Sequence, residues 1–357
     1  MIFPAEKKVV FIGCPLDCDE QHESIQEKLA SRVTSGPDDP LLPLLEALNR
    51  LVPEENWLIG GAIHVPLWMR PFAPTGASAD ILLATIIDFI DRNGCREYAD
   101  KVGERIESDI LPDFPCLIAV DHSLTGGAYA AMIRHYGRGN VTLIIVDSHT
   151  DAVPMSRLSG AIAHDMDTNP NSVYDRSDPY LFNRTDSYNA SSFIHHLMAD
   201  GLIDPRDLFI LGVSDAPDKK TARIKDPRIE DYVGTWTTLH QHGATVITKK
   251  ECQLKPEKAK TLLQKIRTPY AYVSIDMDIG ARNAVEGVRF KNRQGLSESQ
   301  IYRLIDAIGG AGGKKVRLAG MDITEINFRT AGMTLPSGQD RTYEIAAAII
   351  RKLAFKR

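Results

Sequence analysis

The chain has 357 residues, 43% of them hydrophobic and 25% charged, a balance that supports a packed core and excludes a disordered chain. Its formal net charge is -5 and it carries no Lys/Arg-rich arm, which argues against nucleic acid as a partner. No run of about 18 apolar residues occurs, so no membrane-spanning helix is expected.

In chain order, β-branched runs predict strands at residues 9–12, 116–120, 141–146, 208–213, 244–248, 270–275 and 316–323. Helical periodicity predicts helices at 39–51 and 79–92. Ser297 followed by Gln300 reads as a capping box opening a helix at 298–308, and the Ala- and Ile-rich segment 343–355 reads as a closing helix. Strands alternating with helices imply an α/β fold around a largely parallel sheet, and a single domain over 1–357 is expected. Residues 154–189 are rich in Asp, Asn, Ser, Pro and Tyr, with little apolar periodicity. A connection of that length is usually functional or mobile, so it reads as a substrate-facing loop or lid, or more plainly as a surface insertion.

The opening residues MIFPAEKKVVFIG lead straight into a strand, without the apolar stretch and cleavage site of a signal peptide. Five cysteines (Cys14, Cys18, Cys95, Cys116 and Cys252) stand at scattered spacings, as expected of a reducing cytoplasm. Cys14 and Cys18 have no second Cys or His pair at zinc-finger spacing and read as structural.

Three strand ends carry the chemistry. After 141–146 comes Asp147-Ser148-His149-Thr150-Asp151. In roughly extended chain, residues at i, i+2 and i+4 share a side, so Asp147, His149 and Asp151 are expected to project together, a set that suits divalent transition metals. The alternative is a polar loop capping the next helix. After 270–275, Asp276 and Asp278 again stand two apart and need positive charge between them, from a metal or from a nearby Lys or Arg. After 116–120 comes Asp121-His122-Ser123. Together, His122, Asp147, His149, Asp151, Asp276 and Asp278 are enough for two ions with bridging carboxylates. The oxygen-rich set favours manganese over zinc, with nickel, cobalt and iron as alternatives.

These stretches resemble the ureohydrolase family, which includes arginase and agmatinase. Its motifs G-G-D-H-S, D-A-H-x-D and S-x-D-x-D are similar to Ala119-Val120-Asp121-His122-Ser123, to the Asp147–Asp151 stretch, and to Ser274-Ile275-Asp276-Met277-Asp278. Residues 320–327 resemble the family's D-x-x-E-x-N strand. The resemblance implies an arginase-like three-layer fold and a dinuclear centre, most simply of two Mn2+, that lowers the pKa of a bridging water. It also implies that Asp151 helps move a proton towards the leaving amine and that Glu325 pairs with a planar guanidinium. Asp215, in Gly212-Val213-Ser214-Asp215, is similar to an arginase segment whose Asp recognises a substrate amino group, although a helix N-cap before Pro217 explains it equally well.

Three departures bear on the substrate. Ala119-Val120 replaces Gly-Gly, and Ala281-Arg282 stand where Asp-Pro usually follows the third motif. Asn189 occupies the place of a family histidine and cannot exchange protons near neutral pH as His does. His164, His195 and His196 lie nearby in sequence, the last two on an expected helix at 192–199. The expected function is hydrolysis of the guanidinium C–N bond of arginine, a related compound or a peptidyl arginine, releasing urea. The alternatives are a formimidoylglutamate-type amidine hydrolase and a non-catalytic metal-binding sensor or partner module. A homo-oligomer would match the family's habit.

Overall fold

A strand covered on both faces of a parallel sheet reads as an unbroken apolar run, and this chain builds most of its sheet that way. The strands are β1 (Val9–Cys14), β2 (Trp57–Ala62), β3 (Phe114–Ala119), β4 (Val141–Val146), β5 (Leu208–Val213), β6 (Thr245–Thr248), β7 (Tyr270–Asp276) and β8 (Arg317–Thr324). The computed structural model describes residues 7–19, 24–26, 28, 39–71, 81–172, 174, 176–181, 183–291, 294–311, 316–336 and 338–355. Within them these strands form an eight-stranded sheet in the order β2-β1-β3-β8-β7-β4-β5-β6, paired in parallel throughout.

Helices cover both faces, as three layers require. On one side α1 (Leu41–Asn49), α8 (Lys249–Leu254), α9 (Pro256–Leu263), α10 (Glu298–Gly309) and α11 (Thr342–Ala354) bury Leu44, Cys252, Leu263, Ile301 and Ile345 against the sheet. On the other, α2 (Leu83–Asp91), α3 (Gly94–Arg105), α4 (Leu124–Tyr136), α6 (Phe193–Ala199) and α7 (Pro227–Gln241) supply Ile86, Val102, Tyr129, Leu197 and Trp236. The Ser297 capping box at the head of α10 is formed in both directions. Because the strands are parallel and β3, β8, β7 and β4 are adjacent, their carboxyl ends meet at one edge of the sheet. Ligand sites of open α/β sheets lie at that edge.

The expected elements are present with shifted ends, and two points differ. β2 was not anticipated: in its sequence WLIGGA two glycines leave no β-branched run, and it is a mostly exposed edge strand. The helix expected at 79–92 occupies Leu83–Asp91, and residues 79 and 80 lie outside the described residues. The segment 154–189 is not loop throughout, for it opens with helix α5 (Met155–Thr168). Only Met155 and Ile162 of α5 are buried, too few to show as apolar periodicity. Polar contacts to α7 hold it instead: Arg157 Nη1 donates to Thr235 Oγ1 at 2.7 Å, and Arg228 Nη1 to Asp167 Oδ2 at 2.7 Å.

Where α3 crosses α4, glycine permits backbone to touch backbone. A Cβ on Gly127 would lie 1.7 Å from the Ala99 carbonyl oxygen, and one on Gly103 would lie 2.8 Å from that of Gly127. Gly127→Ala is therefore expected to lower stability by about 1–3 kcal/mol, the usual range for an overpacked contact. Gly234→Ala, on α7 with open space around it, should raise stability slightly or leave it unchanged. Denaturant unfolding of the two variants checks the contrast, and equal stabilities would refute it.

Candidate metal centre

At the end of β4, Asp147 is fully buried and turns back on its own loop, where the His149 N–H donates to its Oδ1 at 2.6 Å. β7 repeats the device, with the Asp278 N–H donating to Asp276 Oδ1 at 2.7 Å. Ser148 ties the loops together, donating to Asp278 from its N–H at 3.2 Å and its Oγ at 2.8 Å. Beyond β3, Asp121 accepts from the Ser123 N–H at 2.9 Å, so His122 is held just ahead of α4.

His122 is the meeting point of the three strand ends. Its Nδ1 lies 2.7 Å from Asp151 Oδ2, 3.0 Å from Asp147 Oδ2 and 3.3 Å from Asp276 Oδ2. On the other edge of the ring, Nε2 is 2.9 Å from Ser274 Oγ, which donates to Asp322 Oδ1 at 2.6 Å. Thr125 Oγ1 donates to Asp322 Oδ2 at 2.9 Å. Because the Ser274 proton points at Asp322, its oxygen accepts from Nε2–H, and a neutral ring turns its Nδ1 lone pair towards the carboxylates. A second group adjoins the first through Asp147: His149 Nδ1 is 2.8 Å from Asp278 Oδ2 and 3.6 Å from Asp147 Oδ1. In the groups His122–Asp147–Asp151 and Asp147–His149–Asp278, ligand atoms lie within 4.8 Å of one another, and Asp276 faces His122 without joining either.

Burial opposes charge on His122, His149, Asp147, Asp151 and Asp276. It pushes the Asp151 and Asp276 carboxyls upward, reinforced by Asp147 beside Asp151 and by Asp278 and Asp147 beside Asp276. Burial also disfavours a charged His122, yet Asp147, Asp151 and Asp276 outweigh it and draw the ring well above its ordinary value. His122 Nδ1 and Asp147 Oδ2 are buried without a hydrogen-bond partner. A cation between them satisfies both, and the imidazole and carboxylate donors fit a pair of divalent first-row ions. Asp151 and Glu325 also adopt left-handed backbone, with φ 52° and 62°. Such positions in non-glycine residues cost on the order of 1 kcal/mol or more and cluster at working sites.

Glu325 follows β8, and its Oε1 accepts from the His122 N–H at 3.3 Å. Its carboxyl is raised well above the usual range by burial, then by the charges of Asp276 and Asp121. A cavity beside it is lined by Asp121, Asn189, Arg289, Phe290 and Cys18, among others, and Phe290 packs edge-on against the His149 ring at 5.9 Å. Asn189 is buried at this wall. Its Oδ1 accepts from Ser192 Oγ at 3.1 Å, while its Nδ2 has no hydrogen-bond partner.

The remaining candidates divide. Asp215 does not cap a helix at Pro217; its Oδ2 braces the metal-facing loop by accepting from Thr150 Oγ1 at 2.7 Å. Helix α6 carries His195 and His196 as expected, and both are half-buried. Neither they nor His164 line the cavity. Sequence reasoning missed a buried ion group at the same wall. Arg289 Nη2 donates to Asp17 Oδ1 at 2.7 Å, and Lys28 Nζ lies 3.6 Å from Asp17 Oδ2. Burial works against the Asp17 charge, but Arg289 and Lys28 hold its carboxyl below the usual range. Asp17 and Arg289 are 272 positions apart, and no motif links them.

A model described as the arginase family matches residues 78–355. The fold is similar to that of arginase from Bacillus subtilis, with TM-score 0.57 and 15% identity, covering 98% of this chain and 99% of that one. It is also similar to proclavaminate amidino hydrolase from Streptomyces clavuligerus, with TM-score 0.55 and 18% identity over 99% and 92% of the two chains. Formiminoglutamase from Trypanosoma cruzi, described with Mn2+, aligns with TM-score 0.55 and 15% identity over 99% and 96%. A search of curated proteins by sequence found no match. Among the described residues no helix is long and apolar enough to cross a membrane.

Since Asp147 is common to both groups, Asp147→Ala is expected to abolish binding of both ions, whereas Asn189→Ala should leave metal content unchanged. Metal analysis after dialysis checks this, and wild-type content in Asp147→Ala would refute the shared role. The carboxylates raise the proton affinity of His122, so protons compete with cations for Nδ1. Metal affinity should therefore fall as pH is lowered and recover as it is raised, which calorimetric titration at several pH values measures.

Proposed function

The chain belongs to the arginase family, and on that premise we propose that it hydrolyses the guanidinium C–N bond of a small guanidino compound and releases urea. The observation that carries this reading is the convergence of Asp147, Asp151 and Asp276 on the Nδ1 of His122, within 3.3 Å, beside the acid-lined cavity that holds Glu325. We assign His122, Asp147, His149, Asp151, Asp276 and Asp278 as ligands of two divalent ions, manganese by preference for so oxygen-rich a set. When bound, such a pair would supply a water deprotonated near neutral pH as the nucleophile.

The chain's own residues do the rest. Glu325 is buried, and its backbone is pinned by the Glu325 N–H donating to Val120 O at 3.1 Å and by Glu325 O accepting from the Arg289 N–H at 3.0 Å. A guanidinium entering the cavity meets a preplaced carboxylate and can form parallel hydrogen bonds with it. The guanidinium charge also offsets the repulsion between Glu325 and its neighbours Asp276 and Asp121. To Asp151, 2.7 Å from His122 Nδ1, we assign the role of taking up a proton from the attacking water and handing it to the departing amine. Ser274 and Asp322 keep the His122 ring in one tautomer. Asn189 offers its unpartnered Nδ2 as a donor to an acceptor elsewhere on the substrate, a contact that orients but moves no proton. Asp215 acts here through Thr150 and the loop it braces.

A screen of free and peptide-bound guanidino compounds with manganese, nickel, cobalt and iron supplied separately tests the reading. Urea release is expected with at least one small guanidino compound, strongest with manganese. Formamide from formimidoylglutamate without urea from any guanidino compound would overturn it, as would metal binding without turnover. Glu325→Gln should keep its metal while kcat/KM falls by at least about tenfold, the size of one lost charge-assisted contact.

A further inference from the structure

All five cysteines are buried and unbridged, and two of them meet at the wall of the cavity. Cys18 lies beyond the end of β1, Cys95 in the first turn of α3, and Asp121 beyond β3. The adjacency of β1 and β3 brings these ends together. One donor atom from each of the three residues lies within 4.8 Å of the other two, and the Cys18 and Cys95 side chains are hydrogen-bonded. Thiolates around a tetrahedral ion with bonds of about 2.3 Å stand about 3.7 Å apart, so the donors need only a small contraction. All three residues line the cavity, which leaves a fourth position open to a water or a small ligand.

We infer that Cys18, Cys95 and Asp121 form a site for one thiophilic divalent ion of the zinc class, separate from the two groups around His122 and His149. Softness separates the sites: the centre around His122 offers only nitrogen and oxygen, whereas this one offers two sulfurs and one oxygen. Binding exchanges the two S–H protons for the ion, forming two metal–sulfur bonds and releasing two protons, with no change of oxidation state. The ion would sit in the wall that also carries Asn189 and Glu325, so its occupancy would change what the cavity can admit. The inference rests on these three side chains alone and is independent of the substrate.

Cadmium is the probe, because its bond to a thiolate gives an ultraviolet charge-transfer band that nitrogen and oxygen ligands do not. The full-length protein, first loaded with manganese, is titrated with Cd2+. One equivalent is expected to produce the band. It should fall to half or less in Cys18→Ser and in Cys95→Ser, and stay unchanged in Cys252→Ser on α8. Zn2+ should abolish the band in the wild-type protein, and excess Mn2+ should not. No band in the wild-type protein, a band that survives in both serine variants, or a band that resists Zn2+ would overturn the site. Thiol titration of the unfolded protein should find all five cysteines reduced; a count of three would mean that Cys18 and Cys95 form a disulfide and would also overturn it.

Discussion

Carboxylates packed around an imidazole with little water near them are tolerable only if positive charge lies among them. Asp147, Asp151 and Asp276 all stand within 3.3 Å of one ring nitrogen, and burial makes their mutual repulsion stronger than it would be in solvent. Asp147, Asp276 and the ring itself are each fixed from behind. Backbone N–H groups hold Asp147 and Asp276, and Ser274 holds the far side of the ring. Ends of adjacent parallel strands are suited to this, since a short loop can leave each strand at nearly the same height.

The strand framework and the centre were largely legible in the chain. A strand buried on both faces must be apolar along its whole length, and an acidic residue that ends such a run has no solvent to reach. Residues 141–146 and Asp147 show the rule without distortion. β2 was illegible, since two glycines follow its Trp57-Leu58-Ile59 start and leave no β-branched run. Helix α5 was illegible because its attachment is polar, through Arg157 and Asp167, and leaves only Met155 and Ile162 to signal a face.

The cavity wall was the least legible part. Asp17 and Arg289 meet across 272 positions, and Cys18 meets Cys95 and Asp121 only because β1 lies next to β3. Such pairings are products of strand order, and strand order is not written in any local spacing. Asn189 was noticed as a missing histidine. What its spacing did not reveal is that its amide is buried with Nδ2 unpartnered.

The polar chain from His122 through Ser274 to Asp322 runs inward between β7 and β8. Ser274 and Asp322 are fully buried in the middle of the sheet, with His122 buried at its edge, whereas Asn189 and Phe290 sit on segments outside it. In the proposed reaction, reactivity and selectivity would then belong to different strata of the molecule. For that reaction, a change in the rim loops would leave the His122–Ser274–Asp322 hydrogen bonds in place, while a change as deep as Asp322 would break them.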